Sequence, residues 1–319
     1  MAMDFTNLKP NVVSRDLSGY ITYIYGAPKV GKTTLASQMD KAILLALEPG
    51  YHAIPGIQYQ DITNWSDVRQ AVKELKRPAV KELFSCVIVD TIDIGAEYCK
   101  KYICNQNDIS DLGELGYGKG WTKFKDEFTD TFRSLTQLGY AVFFIGHDKE
   151  LIDEDGNKTI RPALSNSVKT VVSGLADIYG YAHQKHKGEM SVLTLRDTSG
   201  SIECGGRFKY IEEEIPLNYQ SLVNAVKTAI DKEAEEHGNM YVTDERVAPV
   251  LSKSYNFNQM MEEISDVIGQ LMEKSESNAS KITSVVEHYL GKGKKVGECT
   301  PMQVEQLDLI LIDLKELLQ

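Results

Sequence analysis

The segment YIYGAPKVGKTTLAS, residues 23–37, constrains the fold more than any other part of this 319-residue sequence. Within it, Gly26 to Thr33 fit the pattern GxxxxGK[ST] in full. An apolar stretch precedes the motif and a helical pattern follows it, which predicts a strand, a tight loop and a helix. The glycines let backbone N–H groups converge on phosphate oxygens, and the helix N-terminus adds positive potential. We therefore expect a phosphate-binding loop.

The motif gives each of its polar residues a role. Lys32 is expected to reach the β- and γ-phosphates, and the Thr33 hydroxyl is expected to bind Mg²⁺. Asp90 ends the apolar run VIVD, which places its carboxylate at the carboxyl edge of a sheet as a second ligand of the metal. The predicted cofactors are ATP and Mg²⁺. The residues expected to contact them are Gly26, Ala27, Pro28, Lys29, Val30, Gly31, Lys32, Thr33, Thr34 and Asp90.

Hydrolysis also needs a group that orients or deprotonates water. Glu48 closes the run AILLALE, the first predicted strand after the phosphate loop, and is the expected catalytic carboxylate. His147 ends the run YAVFFIGH and is expected to sense the γ-phosphate. The alternatives are a solvated glutamate before the Pro49-Gly50 turn and a structural histidine.

Apolar runs alternate with helical patterns across residues 18–230. The runs at 21–25, 42–48, 83–90 and 140–147 predict strands buried on both faces, with helical patterns at 33–39, 66–75 and 121–138. This order predicts an α/β fold with a mostly parallel sheet flanked by helices. Two closely spaced runs, 177–183 and 190–197, predict a hairpin at one side of the sheet.

The remaining segments predict a second domain. Residues 1–17 are an N-terminal extension, and the charged stretch 231–256 is expected to be a linker. Residues 257–319 carry three amphipathic patterns and predict a small all-α C-terminal domain. Thr300, Pro301 and Gln303 predict an N-cap, a first helical position and a capping box for its last helix.

Composition limits the environment and the partners. The net charge of −11 and pI of about 5.1 exclude a uniformly basic surface but leave room for a local basic strip. Five cysteines without a CxxC pair are typical of reduced thiols. Neither an export signal nor a long apolar run is visible, so a cytoplasmic protein without a membrane partner is expected.

The order of these elements resembles the RecA-type core, and most closely the phage RecA-like ATPases of the Sak single-strand-annealing group. The resemblance covers about residues 18–225. It is carried by GAPKVGKTT (26–34), LALEPG (45–50), VIVDTID (87–93), YGKGW (117–121) and IGHDKE (145–150). It implies that Glu48 is the catalytic glutamate of a RecA-like P-loop core. It also implies that His147 occupies the sensor position, where bacterial recombinases usually have glutamine.

The same resemblance implies two loops that grip single-stranded DNA and a nucleotide held between subunits of a homo-oligomer, either a ring or a filament. A cation from the neighbouring subunit would complete the ATP site; Lys185, Lys187 and Arg196 lie on or near the late strands, and Arg196 is the first candidate. Ordinary mobile surface loops and a solvated strand end are the alternatives. The expected DNA contacts are Lys119 and Trp121 in GELGYGKGW (113–121), and Lys149, Lys158, Arg161 and Lys169 in the segment 148–169.

These observations give one leading hypothesis and two alternatives. The leading one is an ATP-dependent single-stranded DNA-binding protein that promotes recombination or strand annealing, with DNA-stimulated hydrolysis. The alternatives are a replication motor or helicase loader, and a nucleotide-gated interaction module. The basic segment GKGKK (291–295) is compatible with DNA, with a partner such as a single-strand-binding protein, or with a solvated loop.

Overall fold

The computed structural model describes residues 10–152, 156–186, 188–238, 241–247 and 256–318. The chain divides into two compact units, residues 10–251 and a unit containing residues 252–319. The strands are β1 Val13–Ser14, β2 Ile21–Gly26, β3 Ala42–Ala46, β4 Gln58–Asp61, β5 Cys86–Asp90, β6 Ala141–Gly146, β7 Asp148–Ile152, β8 Lys158–Pro162, β9 Ile178–Gln184, β10 Ser191–Thr194, β11 Gly205–Gly206, β12 Glu214–Pro216 and β13 Val242–Thr243. The α-helices are α1 Lys32–Ala36, α2 Trp65–Glu74, α3 Pro78–Leu83, α4 Ile92–Gln106, α5 Lys119–Thr136, α6 Asn166–Leu175, α7 Tyr219–His237, α8 Phe257–Lys274, α9 Asn278–Leu290 and α10 Val304–Glu316.

A nine-stranded sheet organises the larger unit. Its strand order is β12-β10-β9-β2-β6-β5-β3-β4, with β11 paired to β9. The six strands from β9 to β4 run parallel to one another. Strands β10 and β11 pair with β9 in antiparallel fashion, and β12 pairs with β10 in antiparallel fashion. The α/β fold with a mostly parallel sheet is therefore confirmed, and β9 and β10 form the predicted hairpin.

The central strands are buried on both faces, as their continuous apolar sequences predict. In β2, Tyr23 and Tyr25 pack into the core that contains residues of α2, α4 and α5. Ile24 points to the opposite core, which includes the apolar stripe of α7. The phosphate-loop segment thus follows a strand at the centre of the sheet, between β6 and β9.

Two elements of this unit have weak sequence signals. Helix α4 contains Gly95, which lowers helix propensity, yet an added Cβ there would lie 3.3 Å from the Leu47 side chain. Close packing explains the glycine. Strand β4 reads QYQD and is exposed throughout. It is a strand because it pairs with β3 at the margin of the sheet, not because of an alternating pattern.

The predicted linker at 231–256 differs from the structure in its first half. Helix α7 continues to His237 because Ala234 extends its buried stripe, and Gly238 ends it in the left-handed conformation at φ 81°. Beyond it, β13 pairs with β1 inside the same unit, and the Arg246 guanidinium donates to the Gly139 carbonyl at 2.7 Å. Residues 239–240 and 248–255 of the predicted linker lie outside the described residues, as do residues 1–9 of the predicted N-terminal extension.

The smaller unit contains the three predicted helices, α8, α9 and α10. Their apolar faces meet in one core that includes Ile264, Leu271, Leu307 and Leu314. Thr300 and Gln303 form the predicted capping box, but it caps a 3-10 turn at Pro301–Gln303, and α10 begins only at Val304. Among the described residues, no helix is both long and apolar enough to cross a membrane.

Candidate functional site

The phosphate-loop segment depends on glycine at both ends. Gly26 ends β2 so close to β9 that an added Cβ would lie 2.1 Å from the Ala182 carbonyl oxygen. Gly31 has φ 113°, a conformation that side-chain-bearing residues avoid. Lys29 also has positive φ, at 63°, and its side chain is exposed. The backbone between the glycines therefore forms the compact turn that the motif predicts.

Lys32 turns back over this segment. Its side-chain nitrogen Nζ donates to the carbonyl oxygens of Gly26 at 2.7 Å and Ala27 at 2.8 Å. The residue is only 6% exposed, and burial lowers the pKa of its ammonium group, although the charge of Asp90 opposes that shift. The ammonium group is thus held by carbonyls of the loop itself.

Thr33 and Asp90, the two predicted metal ligands, contact each other directly. The Thr33 hydroxyl donates to Asp90 Oδ2 at 2.6 Å. Burial raises the pKa of Asp90 to about 6, while the hydrogen bond from Thr33 acts in the opposite direction. A hydroxyl and a nearly buried carboxylate are hard oxygen donors, and a cation between them would remove the cost of burying the carboxylate charge. The donor set therefore fits Mg²⁺.

Glu48 and His147 lie together, at the ends of separate strands. Glu48 Oε1 is 3.8 Å from His147 Nε2. The opposite ring nitrogen, Nδ1, is 2.7 Å from Asp93 Oδ2, and Asp93 also accepts the His147 backbone N–H at 3.2 Å. In the neutral tautomer whose Nδ1–H is donated to Asp93, Nε2 carries no proton and faces Glu48 as an acceptor.

Asp93 is a site residue that sequence reasoning missed. It lies in the first turn of α4, three residues after Asp90, in the segment VDTID. A second carboxylate so close to the predicted metal ligand was a usable signal, because the carboxyl ends of parallel strands converge at one edge. Its contact with His147 needs the pairing of β5 with β6, which the sequence does not show.

The second predicted DNA loop is an ordered hairpin. Strands β7 and β8 pair in antiparallel fashion, and α6 begins soon after them. Residues 153–155 at its tip lie outside the described residues.

All four cations of this segment have partners. Lys149 Nζ donates to the Leu164 carbonyl at 2.8 Å, and Lys158 pairs with Glu150 at 2.8 Å. The other two share one carboxylate. Glu203 Oε2 is 2.7 Å from Lys169 Nζ and 3.7 Å from an Arg161 nitrogen. Two carboxylates, Glu150 and Glu203, are therefore paired with three of the four cations of this segment.

The first predicted DNA segment is more open. Lys119 begins α5, and Trp121, two residues later, is 44% exposed. Tyr117 is fully exposed beside them. A further cation lies on α4, since Lys100 Nζ is 5.6 Å from the centre of the Trp121 ring and 3.0 Å from an Asp111 oxygen. We call Lys100, Tyr117, Lys119 and Trp121 the aromatic–lysine patch.

Two candidates for a cation supplied by a neighbouring subunit lie at opposite ends of the sheet strands. The β9 and β10 register matches Ser191 with Gln184, so the exit of β10 is directed away from the phosphate-loop end of β2. Arg196 follows that exit, and its guanidinium donates to the Lys209 carbonyl. Lys185 instead follows β9 at the phosphate-loop end and pairs with Glu214 at 2.6 Å. Lys187 lies outside the described residues.

A glycine-bounded loop on a central parallel strand, with a buried lysine and a Thr–Asp pair at the same strand ends, defines a P-loop nucleoside triphosphatase. Residues 18–203 match the AAA domain family, which is more than half of the chain. This protein belongs to that family and is a nucleotide-binding ATPase.

Two known proteins are similar to the chain. The SPbeta prophage-derived uncharacterized protein YorG of Bacillus subtilis strain 168 is 31% identical over 329 aligned positions, covering 100% of this chain and 99% of that protein. The crystal structure of the flagellar accessory protein FlaH from Methanocaldococcus jannaschii shares 11% identity. It covers 63% of this chain and 85% of FlaH, with a TM-score of 0.34.

Proposed function

We propose that this ATPase binds single-stranded DNA in an ATP-dependent manner and promotes recombination or strand annealing. The observation that carries the proposal is the combination of two features. One is the group of residues to which we assign ATP hydrolysis: Lys32 and Thr33 at the start of α1, with Asp90, Glu48 and His147 at or just after strand ends. The other is the exposed aromatic–lysine patch, whose rings suit stacking on bases and whose lysines suit phosphates.

Each residue assigned to ATP hydrolysis has a distinct task in this proposal. Lys32 exchanges its two carbonyl partners for phosphate oxygens, which carry full charge and bind an ammonium more strongly. Thr33 and Asp90 hold Mg²⁺, which when bound neutralises charge on the phosphates. Glu48 orients the attacking water, and the Asp93 contact fixes the ring of His147 beside Glu48.

Phosphate sensing follows from chain connectivity. His147 directly precedes β7, so a movement of its ring toward a bound phosphate pulls on the base of the β7–β8 hairpin. Asp148, the first residue of β7, accepts a hydrogen bond from the Tyr181 hydroxyl at 3.3 Å. The hairpin base is thus tied both to the nucleotide edge and to β9. We propose that ATP repositions the hairpin and frees its paired cations for DNA.

The proposal includes a homo-oligomer, ring or filament, in which a neighbour completes the ATP site. Lys185 is better placed than Arg196 to supply the cation to a neighbour's ATP site, because it follows β9 at the phosphate-loop end. Mixing Lys32→Ala and Lys185→Ala chains tests this. If Lys185 acts in the neighbour's site, the mixture regains part of the turnover that each variant lacks alone. A mixture that stays inactive counts against it.

The central experiment measures phosphate release from ATP with and without a long single strand, for the wild type and Lys32→Ala. The proposal expects turnover that the DNA stimulates and that the variant loses. Trp121→Ala should reduce the DNA stimulation, whereas Tyr241→Ala, which removes another ring of similar exposure (43%), should not. Turnover without any DNA binding at low salt would refute the DNA proposal and leave the ATPase intact.

One observation favours a second candidate, a nucleotide-gated interaction protein or loader. Lys158, Arg161 and Lys169 already form ion pairs within the chain, so little free positive charge faces DNA on that side. This candidate predicts turnover that ignores DNA but changes when a protein partner binds.

A further inference from the structure

The C-terminal unit contains a pocket whose lining residues all belong to that unit. It has a volume of about 300 Å³, at the lower end of the range for ligand clefts. It lies between α8, α9 and the connection that follows α9. We call it the C-terminal pocket. Its lining includes Ile268, Ile282, Val286, Val296, Lys294 and Lys295.

The floor of the C-terminal pocket is apolar and its rim is basic. Ile282 and Val286 lie on the face of α9 that packs into the core of the unit. After α9 ends, the chain changes direction at Gly291 and Gly293, which both have positive φ. The Gly293 N–H donates to Glu287 Oε1 at 2.7 Å, which holds the turn against the helix. The lysines that follow are thereby presented beside apolar surface.

The charge of this rim contrasts with its surroundings. Residues 256–318 carry 11 acidic side chains against six lysines, yet three of those lysines fall at 292, 294 and 295. All three are exposed, and none forms an ion pair with another described residue of the chain. A local cationic group on an acidic unit attracts a compact anionic ligand, not an extended polyanion.

We propose that the C-terminal pocket binds an acidic peptide segment of a partner protein. An apolar side chain of that peptide fills the pocket, and flanking carboxylates pair with Lys294 and Lys295. The apolar floor favours a peptide over nucleic acid, because its side chains are aliphatic and offer a base no ring to stack on, whereas an apolar side chain of a peptide can be buried against them. The acidic residues around the rim repel a long polyanion and tolerate a short one. This inference is independent of the proposed DNA function.

The test uses the intact chain and a library of short random peptides displayed on phage. Selection on the immobilised protein should enrich peptides that combine Asp or Glu with a large apolar residue. The enriched peptide is then synthesised with a fluorescent label, and its affinity is measured by anisotropy at low and high salt. Enrichment of basic or uncharged peptides, or of none, would overturn the proposal.

Three variants locate the binding. Lys294→Glu with Lys295→Glu should weaken the peptide by about tenfold or more at low salt. The matched control, Lys227→Glu with Lys232→Glu, reverses the charge of two exposed lysines of α7 and should leave the affinity for the peptide unchanged. Thr283→Trp fills the pocket from its exposed rim without altering the core and should also abolish binding. An unchanged circular dichroism spectrum and thermal unfolding curve in each variant establish that both units are folded, and unchanged ATP turnover establishes that the ATPase unit is intact.

The outcomes separate the possible ligands. Loss of peptide binding in both pocket variants, with the control intact, supports the proposal. Equal binding in all variants places the peptide elsewhere and refutes it. A single-stranded oligonucleotide that binds through Lys294 and Lys295, while acidic peptides do not compete with it, would also refute it and assign the rim to DNA.

Discussion

Replacing Lys32 with methionine separates the role of this residue in nucleotide binding from any role in folding. In the free protein, the ammonium group makes two hydrogen bonds to loop carbonyls and is 6% exposed. A hydrogen bond from a charged donor stabilises by roughly 1.5–3 kcal/mol, but burying the charge costs a similar amount, which the lowered pKa of Lys32 reflects. The two contributions largely cancel. We expect the free energy of unfolding to change by less than about 1 kcal/mol.

The effect on nucleotide binding should be far larger. Methionine keeps the length and apolar stem of lysine but offers phosphate oxygens neither charge nor a donor. A loss of about 3 kcal/mol corresponds to roughly 100-fold weaker binding. Isothermal titration calorimetry with a slowly hydrolysed ATP analogue and Mg²⁺ measures this. Thermal unfolding of the same samples measures stability.

Lys29→Met is the matched control for Lys32→Met. Lys29 is expected to meet the phosphates through its backbone N–H, which the substitution keeps, and its side chain is exposed, so both stability and affinity should stay near the wild type. If Lys32→Met binds the analogue as tightly as the wild type, the loop is not the phosphate site and the reasoning fails. A variant that unfolds without nucleotide would instead show that Lys32 is a structural residue.

Three further predictions concern other groups of the chain. Glu48→Gln should reduce turnover by about two orders of magnitude or more while leaving nucleotide affinity within about twofold, since it removes the base and keeps the shape; equal turnover would remove Glu48 from the mechanism. Burial lowers the pKa of His183, so the unfolded state binds more protons near pH 6 and the unfolding free energy should fall as pH drops below about 6.5. His183→Gln should flatten that slope in chemical denaturation series, and an unaltered slope would contradict the assignment. Thiol labelling of the native protein should modify Cys299, which is partly exposed, well before Cys86, because burial raises the pKa of the Cys86 thiol to about 12 and excludes the reagent; equal labelling rates of the two cysteines in the native protein would refute the burial argument.

Much of the core could be predicted because its signals are local. Strands β2, β3, β5 and β6, which lie inside the sheet, are continuous apolar runs. The phosphate loop is a fixed spacing of glycine, lysine and threonine. The capping box at Thr300 and Gln303 is equally local, since both partners lie within one helical turn. Elements without such a pattern were missed, including α4 with its internal Gly95 and the polar strand β4.

The sequence by itself determined the chemistry available to this protein: a phosphate loop, a carboxylate after an apolar strand, and a second carboxylate and a histidine at two other strand ends. Tertiary structure alone decided which of these groups meet. The contacts from His147 to Asp93 and Glu48 span 54 and 99 positions, and the pairing of hairpin cations with Glu203 spans more than 30. Such contacts depend on strand order and register, which are set by packing of the whole sheet and leave no mark on local residue spacing.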